Sequence, residues 1–114
     1  MTSWAIALAA AAALTVESAA VDDRATLSVS GRVCETRPPV QLQLVETRET
    51  YPVRLVFEAR PAGVPTAGCV PFQAALPLTT LPAFADACRE RCLIEVRVPG
   101  GPGRILVFPT PKER

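Results

Sequence analysis

The sequence predicts an all-β chain, a small antiparallel β-sandwich or barrel-like domain stapled by disulfides and preceded by a signal peptide. Three observations carry this expectation. Five short runs alternate apolar and polar residues with a period of two, the pattern of strands buried on one face, and a sixth is a short apolar run. Turn-forming clusters separate the runs at intervals of roughly 10 residues, which favours an antiparallel sandwich or barrel over βαβ units. Four cysteines fall in a chain of 114 residues that opens on an apolar leader.

The leader comes first. From Trp4 to Val16 the stretch WAIALAAAAALTV carries no charge and has the length of a signal-peptide apolar region. It is shorter than the roughly 20 apolar residues a membrane-spanning helix needs. Ser18 and Ala20 then occupy the small-residue positions of an export cleavage site, so residues 1–20 are expected to leave and residues 21–114 to form one domain. A domain of that size stabilises itself only marginally by burial, which makes covalent staples plausible.

The strands follow in order. ATLSVSGRVC places Leu27, Val29 and Val33 inward, and PVQLQLVET places Val40, Leu42 and Leu44 on one face with Gln41 and Gln43 opposite. YPVRLVFEAR reads as a half-buried strand, with Val53, Leu55, Phe57 and Ala59 inward and Arg54, Val56, Glu58 and Arg60 outward. VPFQAALPL alternates at Val70, Phe72, Ala74, Leu76 and Leu78, but Pro71 and Pro77 remove ladder donors and make it an edge strand or extended arm. AFADACRERC is the one stretch that could hold a helix, barely two turns long. CLIEVRV puts Ile94, Val96 and Val98 on one side, Glu95 and Arg97 on the other. GRILVFPT is a short apolar run bounded by turn residues, and TPKER is expected to fray.

Composition excludes several chemistries. With no histidine, a Ser–His or Cys–His nucleophile pair cannot form and the commonest metal ligand is missing. With no asparagine, there is no N-glycosylation acceptor. PGGPG lacks the Lys-Ser/Thr of a phosphate loop and reads as a turn. The 12 basic residues are balanced by 11 acidic ones and scattered along the chain, so there is no electrostatic case for nucleic acid or an anionic membrane. The carboxylates, Asp86, Glu90 and Glu95 among them, form no recognisable catalytic pair, and a lone acid between arginines reads as a surface ion pair. Neither enzymatic activity, nor a cofactor, nor a metal site is expected.

Cys34, Cys69, Cys88 and Cys92 are the chemical residues that remain. A four-thiolate zinc site usually comes as two close pairs, whereas Cys34 and Cys69 stand alone. A thioredoxin-like centre needs C-x-x-C opening a helix, and CRERC has one residue too many. In a short exported chain the four imply two disulfides with three possible connectivities. The favoured pattern is Cys34–Cys69 with Cys88–Cys92, and pairing of Cys88 and Cys92 with Cys34 and Cys69 stays open. A local Cys88–Cys92 bond predicts a distorted turn at CRERC rather than a clean helix, with Arg89, Glu90 and Arg91 as its exposed rim.

Several short motifs stand in a fixed order: Gly31-Arg32-Val33, Val40 to Glu46, Pro71-Phe72-Gln73-Ala74, Ile94 to Val98, and Gly103 to Thr110. This order resembles the bacterial secretion-pilotin family, the type III secretion lipoprotein chaperones and their periplasmic relatives. The resemblance covers most of residues 21–114 and implies an exported β-sandwich with a binding role: escorting a secretin or another outer-membrane partner by gripping a short segment of it on a sheet edge or groove. Pilotins are usually lipidated at a cysteine ending the signal peptide. Val21 stands there, so a lipid anchor is not expected, nor is a stable membrane span once the leader is gone. A secreted structural, adhesion or inhibitor β-module is the alternative that the same stapled sandwich would serve.

Overall fold

The computed structural model describes residues 14–88, 91–99 and 104–108. The apolar leader before Leu14, Arg89 and Glu90, residues 100–103 and the segment after Phe108 lie outside them, so those parts of the expected leader, rim, turn and frayed end have no structural counterpart below.

The alternating runs fold as strands. The chain runs β1 (Leu14–Val21), β2 (Thr26–Thr36), β3 (Val40–Arg48), β4 (Val53–Pro61), β5 (Pro65–Pro77), a 3-10 turn (Leu78–Thr80), helix α1 (Pro82–Ala87), β6 (Cys92–Arg97) and β7 (Arg104–Val107). They form two sheets, one of order β1-β2-β5 and one of order β3-β4-β6-β7. Strand β1 lies alongside β7, and β3 alongside β5, so the sheet margins approach each other in a barrel-like closure. The all-β class holds, with one departure from a purely antiparallel arrangement. Strands β4 and β6 pair in parallel, Val53 opposite Cys92 through Glu58 opposite Arg97, while the other four pairings are antiparallel.

The core sits between the sheets. Leu27, Val29 and Val33 of β2 and Phe72 of β5 meet Leu55, Phe57 and Ala59 of β4 and Ile94 and Val96 of β6. Most inward positions of the sequence pattern are filled as the pleat dictates, whereas Val53, at the start of β4, and Val98, beyond the end of β6, stay outside the core. Complete burial of one Leu, Val or Phe side chain contributes about 1.5–3 kcal/mol.

Strand β4 departs from the half-buried expectation. Its outward residues Val56 and Glu58 are buried too, as is Glu95 of β6. The reason is position: β4 and β6 are the inner strands of a four-stranded sheet, and long arginine side chains lie on their outer face. Strand β5 is an edge, as its prolines require. The helix is a six-residue piece with Pro82 in its first turn, and it ends where the Cys88 N–H bonds the Phe84 carbonyl.

The last seven residues of the expected leader, Leu14 to Ala20, belong to β1. This strand pairs with β2 from Leu14 opposite Val33 to Val21 opposite Leu27, with a bulge between Val16 and Ser18. Leu14, Val16 and Ala19 pack on the core and Val21 is part of it. A tight turn joins β1 to β2, in which the Asp22 carboxylate accepts bonds from the N–H groups of Arg24 (2.8 Å) and Thr26 (3.0 Å). Ala25 adopts a positive φ of 60° there, and its carbonyl accepts from Leu78, tying the hairpin to the 3-10 turn.

Candidate functional site

The four cysteines form the two favoured disulfides, Cys34–Cys69 and Cys88–Cys92. Cys34 and Cys69 are opposite one another on β2 and β5, with Cα atoms 3.9 Å apart. Directly opposed cross-strand residues at non-hydrogen-bonded positions stand about 4.5 Å apart without any linkage, so this bonded pair is only slightly closer. The bond therefore fastens a register that the strands already define. Cys88 and Cys92 join the end of α1 to the start of β6, with Cα atoms 4.9 Å apart. The helix has ended before the linkage, as a local bridge four residues apart requires. Of the expected rim, Arg91 is exposed. No cysteine is free: all four are paired in these two bonds.

The outer face of the four-stranded sheet carries a lattice of opposite charges. Glu58 on β4 receives Arg60 at 2.7 Å and Arg97 at 3.4 Å. Glu95 on β6 receives Nη1 of Arg54 at 3.0 Å, and Glu46 on β3 receives Arg48 at 2.8 Å. Sheet register makes these meetings: Arg54 and Glu95 are diagonal neighbours on paired strands, and Glu58 stands opposite Arg97. The Arg60 guanidinium bonded to Glu58 holds that carboxyl below its ordinary pKa, and Arg97 adds to the effect. Arg48 does the same for Glu46.

Glu95 corrects the expectation of a surface ion pair, because its residue is only 2% exposed while Arg54 still reaches solvent. The i, i+2 spacing of arginine and glutamate along β4 was a readable signal for a charged outer face. Nothing in the sequence alone said that this face would be covered by its own side chains. Asp86 lies on α1 and is exposed, away from this lattice. Among the described residues, no three His, Cys, Asp or Glu side chains stand close enough to hold a metal ion.

The outer face of the three-stranded sheet is different in kind. Ser18, Ala20, Ser28, Ser30, Gln73 and Ala75 line a shallow open groove of about 530 Å³. The Ser18 and Ser30 hydroxyls bond across β1 and β2 at 2.6 Å. Small side chains on three adjacent strands leave the backbone close to the surface. On β5, Pro65, Pro71 and Pro77 recur at the same strand parity, and their side chains face outward. Proline is tolerated in a ladder only where its missing donor faces away from the partner strand, so the free margin of β5 has no donor at these positions. The chain from Leu14 to Arg37 contains no proline.

No family model, curated protein or solved structure matches the chain. What the architecture defines by itself is a disulfide-stapled all-β domain that offers sheet margins and a groove. Among the described residues, no helix is long and apolar enough to cross a membrane.

Proposed function

We propose that this chain is an exported, non-catalytic binding protein of the bacterial envelope. In this reading it is pilotin-like, assisting a secretin or another outer-membrane partner by holding a short segment of it. The observation that carries the reading is the pair of intramolecular disulfides in a small all-β domain. Such bonds persist outside the reducing cytosol and stabilise domains whose cores are small. The apolar leader is the second support, and the ordered motifs from Gly31-Arg32-Val33 to Gly103–Thr110 are the ground for the partner class. Binding through a sheet margin would use main-chain hydrogen bonds for affinity and alternate side chains for specificity.

Crosslinking in the native envelope, followed by identification of what is caught, tests the proposal. A secretin or another outer-membrane protein captured at near-stoichiometric yield is the expected result. A chain that remains cytosolic, or that is exported and captures nothing while it polymerises or inhibits a protease, would overturn it.

A further inference from the structure

The sequence marks residues 1–20 for removal, while the fold uses Leu14–Val21 as a working strand. Both statements concern the same residues. Cutting after Ala20 takes away all of β1 except Val21, and with it the ladder that covers β2 from Ser28 to Val33. It also strips Leu14, Val16 and Ala19 from the core around Val29 and Val33, which are 1% and 0% exposed with the strand in place. An unpaired, proline-free strand backed by bare apolar residues is a template for another strand.

We infer that the outer edge of β2 is a strand acceptor, opened by cleavage after Ala20 and closed by an extended segment of the protein partner. This rests on the exported, partner-binding reading above. Strand β1 itself states what the acceptor takes. Read along β1, the sites opposite Val33 and Gly31 hold Leu14 and Val16, both facing the core. A bulge follows at Glu17, then a small residue at Ala19 opposite Val29, then an apolar one at Val21.

Gly31 fixes the depth of seating, because a Cβ there would collide with the Thr15 carbonyl oxygen and the β1 backbone. The outward positions, Ser18 and Ala20, are small and border the serine-lined groove. The ligand class is therefore an extended segment reading apolar-x-apolar-x-x-small-x-apolar. The other margin of the same sheet, β5, lacks donors at Pro65, Pro71 and Pro77 and already lies alongside β3, which makes it the poorer acceptor. In the intact chain Leu14–Val21 occupy the acceptor themselves.

The test uses the full chain with a specific-protease site inserted between Asp23 and Arg24, folded and oxidised before it is cut. A fluorescent peptide of sequence LTVESAAV should then bind saturably, one per chain, and displace the nicked strand. The uncut chain should take it up at least ~10-fold more slowly. A peptide carrying Val16→Lys and Ala19→Lys should bind at least ~10-fold more weakly, because it would bury two unpaired charges.

No uptake by the nicked chain, or equal binding of the substituted peptide, overturns the acceptor. N-terminal sequencing of the exported protein should begin at Val21, and a start upstream of Leu14 overturns the opening step. Peptide uptake with no envelope partner crosslinked would support the acceptor while refuting the envelope role, so the two ideas fail separately.

Discussion

Glu95 and Arg54 show how unequal the two halves of one ion pair are. The carboxylate is buried, whereas the Arg54 side chain is 26% exposed and can turn to water. Removing the arginine leaves a buried charge without its partner, the expensive case, and removing the charge of the glutamate leaves a guanidinium that can hydrate itself. Arg54→Met should therefore cost about 3 kcal/mol and Glu95→Gln about 1 kcal/mol. Urea unfolding at neutral pH measures both, and the opposite order would refute the account.

Acid should act through other carboxylates. Hydrogen bonds from the Thr26 and Arg24 N–H groups lower the pKa of Asp22 from its ordinary 3.8, and Arg60 lowers that of Glu58 from 4.5. A carboxyl whose folded pKa lies below its unfolded value contributes stability that is complete above the unfolded value and lost as pH falls through the folded one. The urea midpoint should thus be flat from pH 7 to 5 and decline below about pH 4.5. Asp22→Asn should flatten part of that decline, and a variant with an unchanged slope would show that the turn carboxylate is not linked to folding.

At the scale of elements, the strands differ in how much of them the sequence discloses. Strands β2 and β3 are legible because each has one wet face, so Leu27, Val29 and Val33, or Val40, Leu42 and Leu44, stand out against polar neighbours. Strand β5 is legible as an edge because proline can sit nowhere else in a sheet. Strand β4 is legible as a strand but not as an inner one, since burial of Val56 and Glu58 depends on what pairs on either side. The Cys34–Cys69 bond was favoured from spacing, yet its place in the β2–β5 register is a property of pairing alone. Strand β1 was masked by composition: a run of alanines and small residues reads as a leader before it reads as a strand.

Two element-level outcomes follow. Gly31→Ala in the full chain should push β1 off β2 without disturbing the β2–β5 pairing. Hydrogen exchange should then speed up at β1 and at the β2 amides facing it, and equal protection would remove the close-approach argument. For the staples, loop-closure entropy gives about 4 kcal/mol to Cys34–Cys69 and about 2 kcal/mol to Cys88–Cys92. Denaturation of the Cys34→Ala/Cys69→Ala and Cys88→Ala/Cys92→Ala pairs should keep that order.

For the molecule as a whole, the two sheets ask different things of their outer faces. One is covered by its own arginines and glutamates; the other shows serine and alanine, with the backbone near the surface. The inner strands β4 and β6 carry Leu55, Phe57 and Ile94 fully buried and are covered on their outer face as well, at Val56 and Glu95. Their amides should exchange last, while those of β7 and β1 exchange early. Mass-spectrometric exchange on the oxidised chain checks this, and β2 outlasting β4 would place the stable nucleus in the other sheet.

The parallel pairing of β4 with β6 has a consequence in time. A chain made from its N-terminus completes the β3–β4 hairpin early, by local contacts. The other edge of β4 then waits while residues 62–91 cross to the opposite sheet as β5 and return through α1. Throughout that interval Leu55, Val56 and Phe57 lie on a half-finished sheet, open to any passing strand. Closing the Cys88–Cys92 loop fixes the point from which β6 sets out on its way to β4.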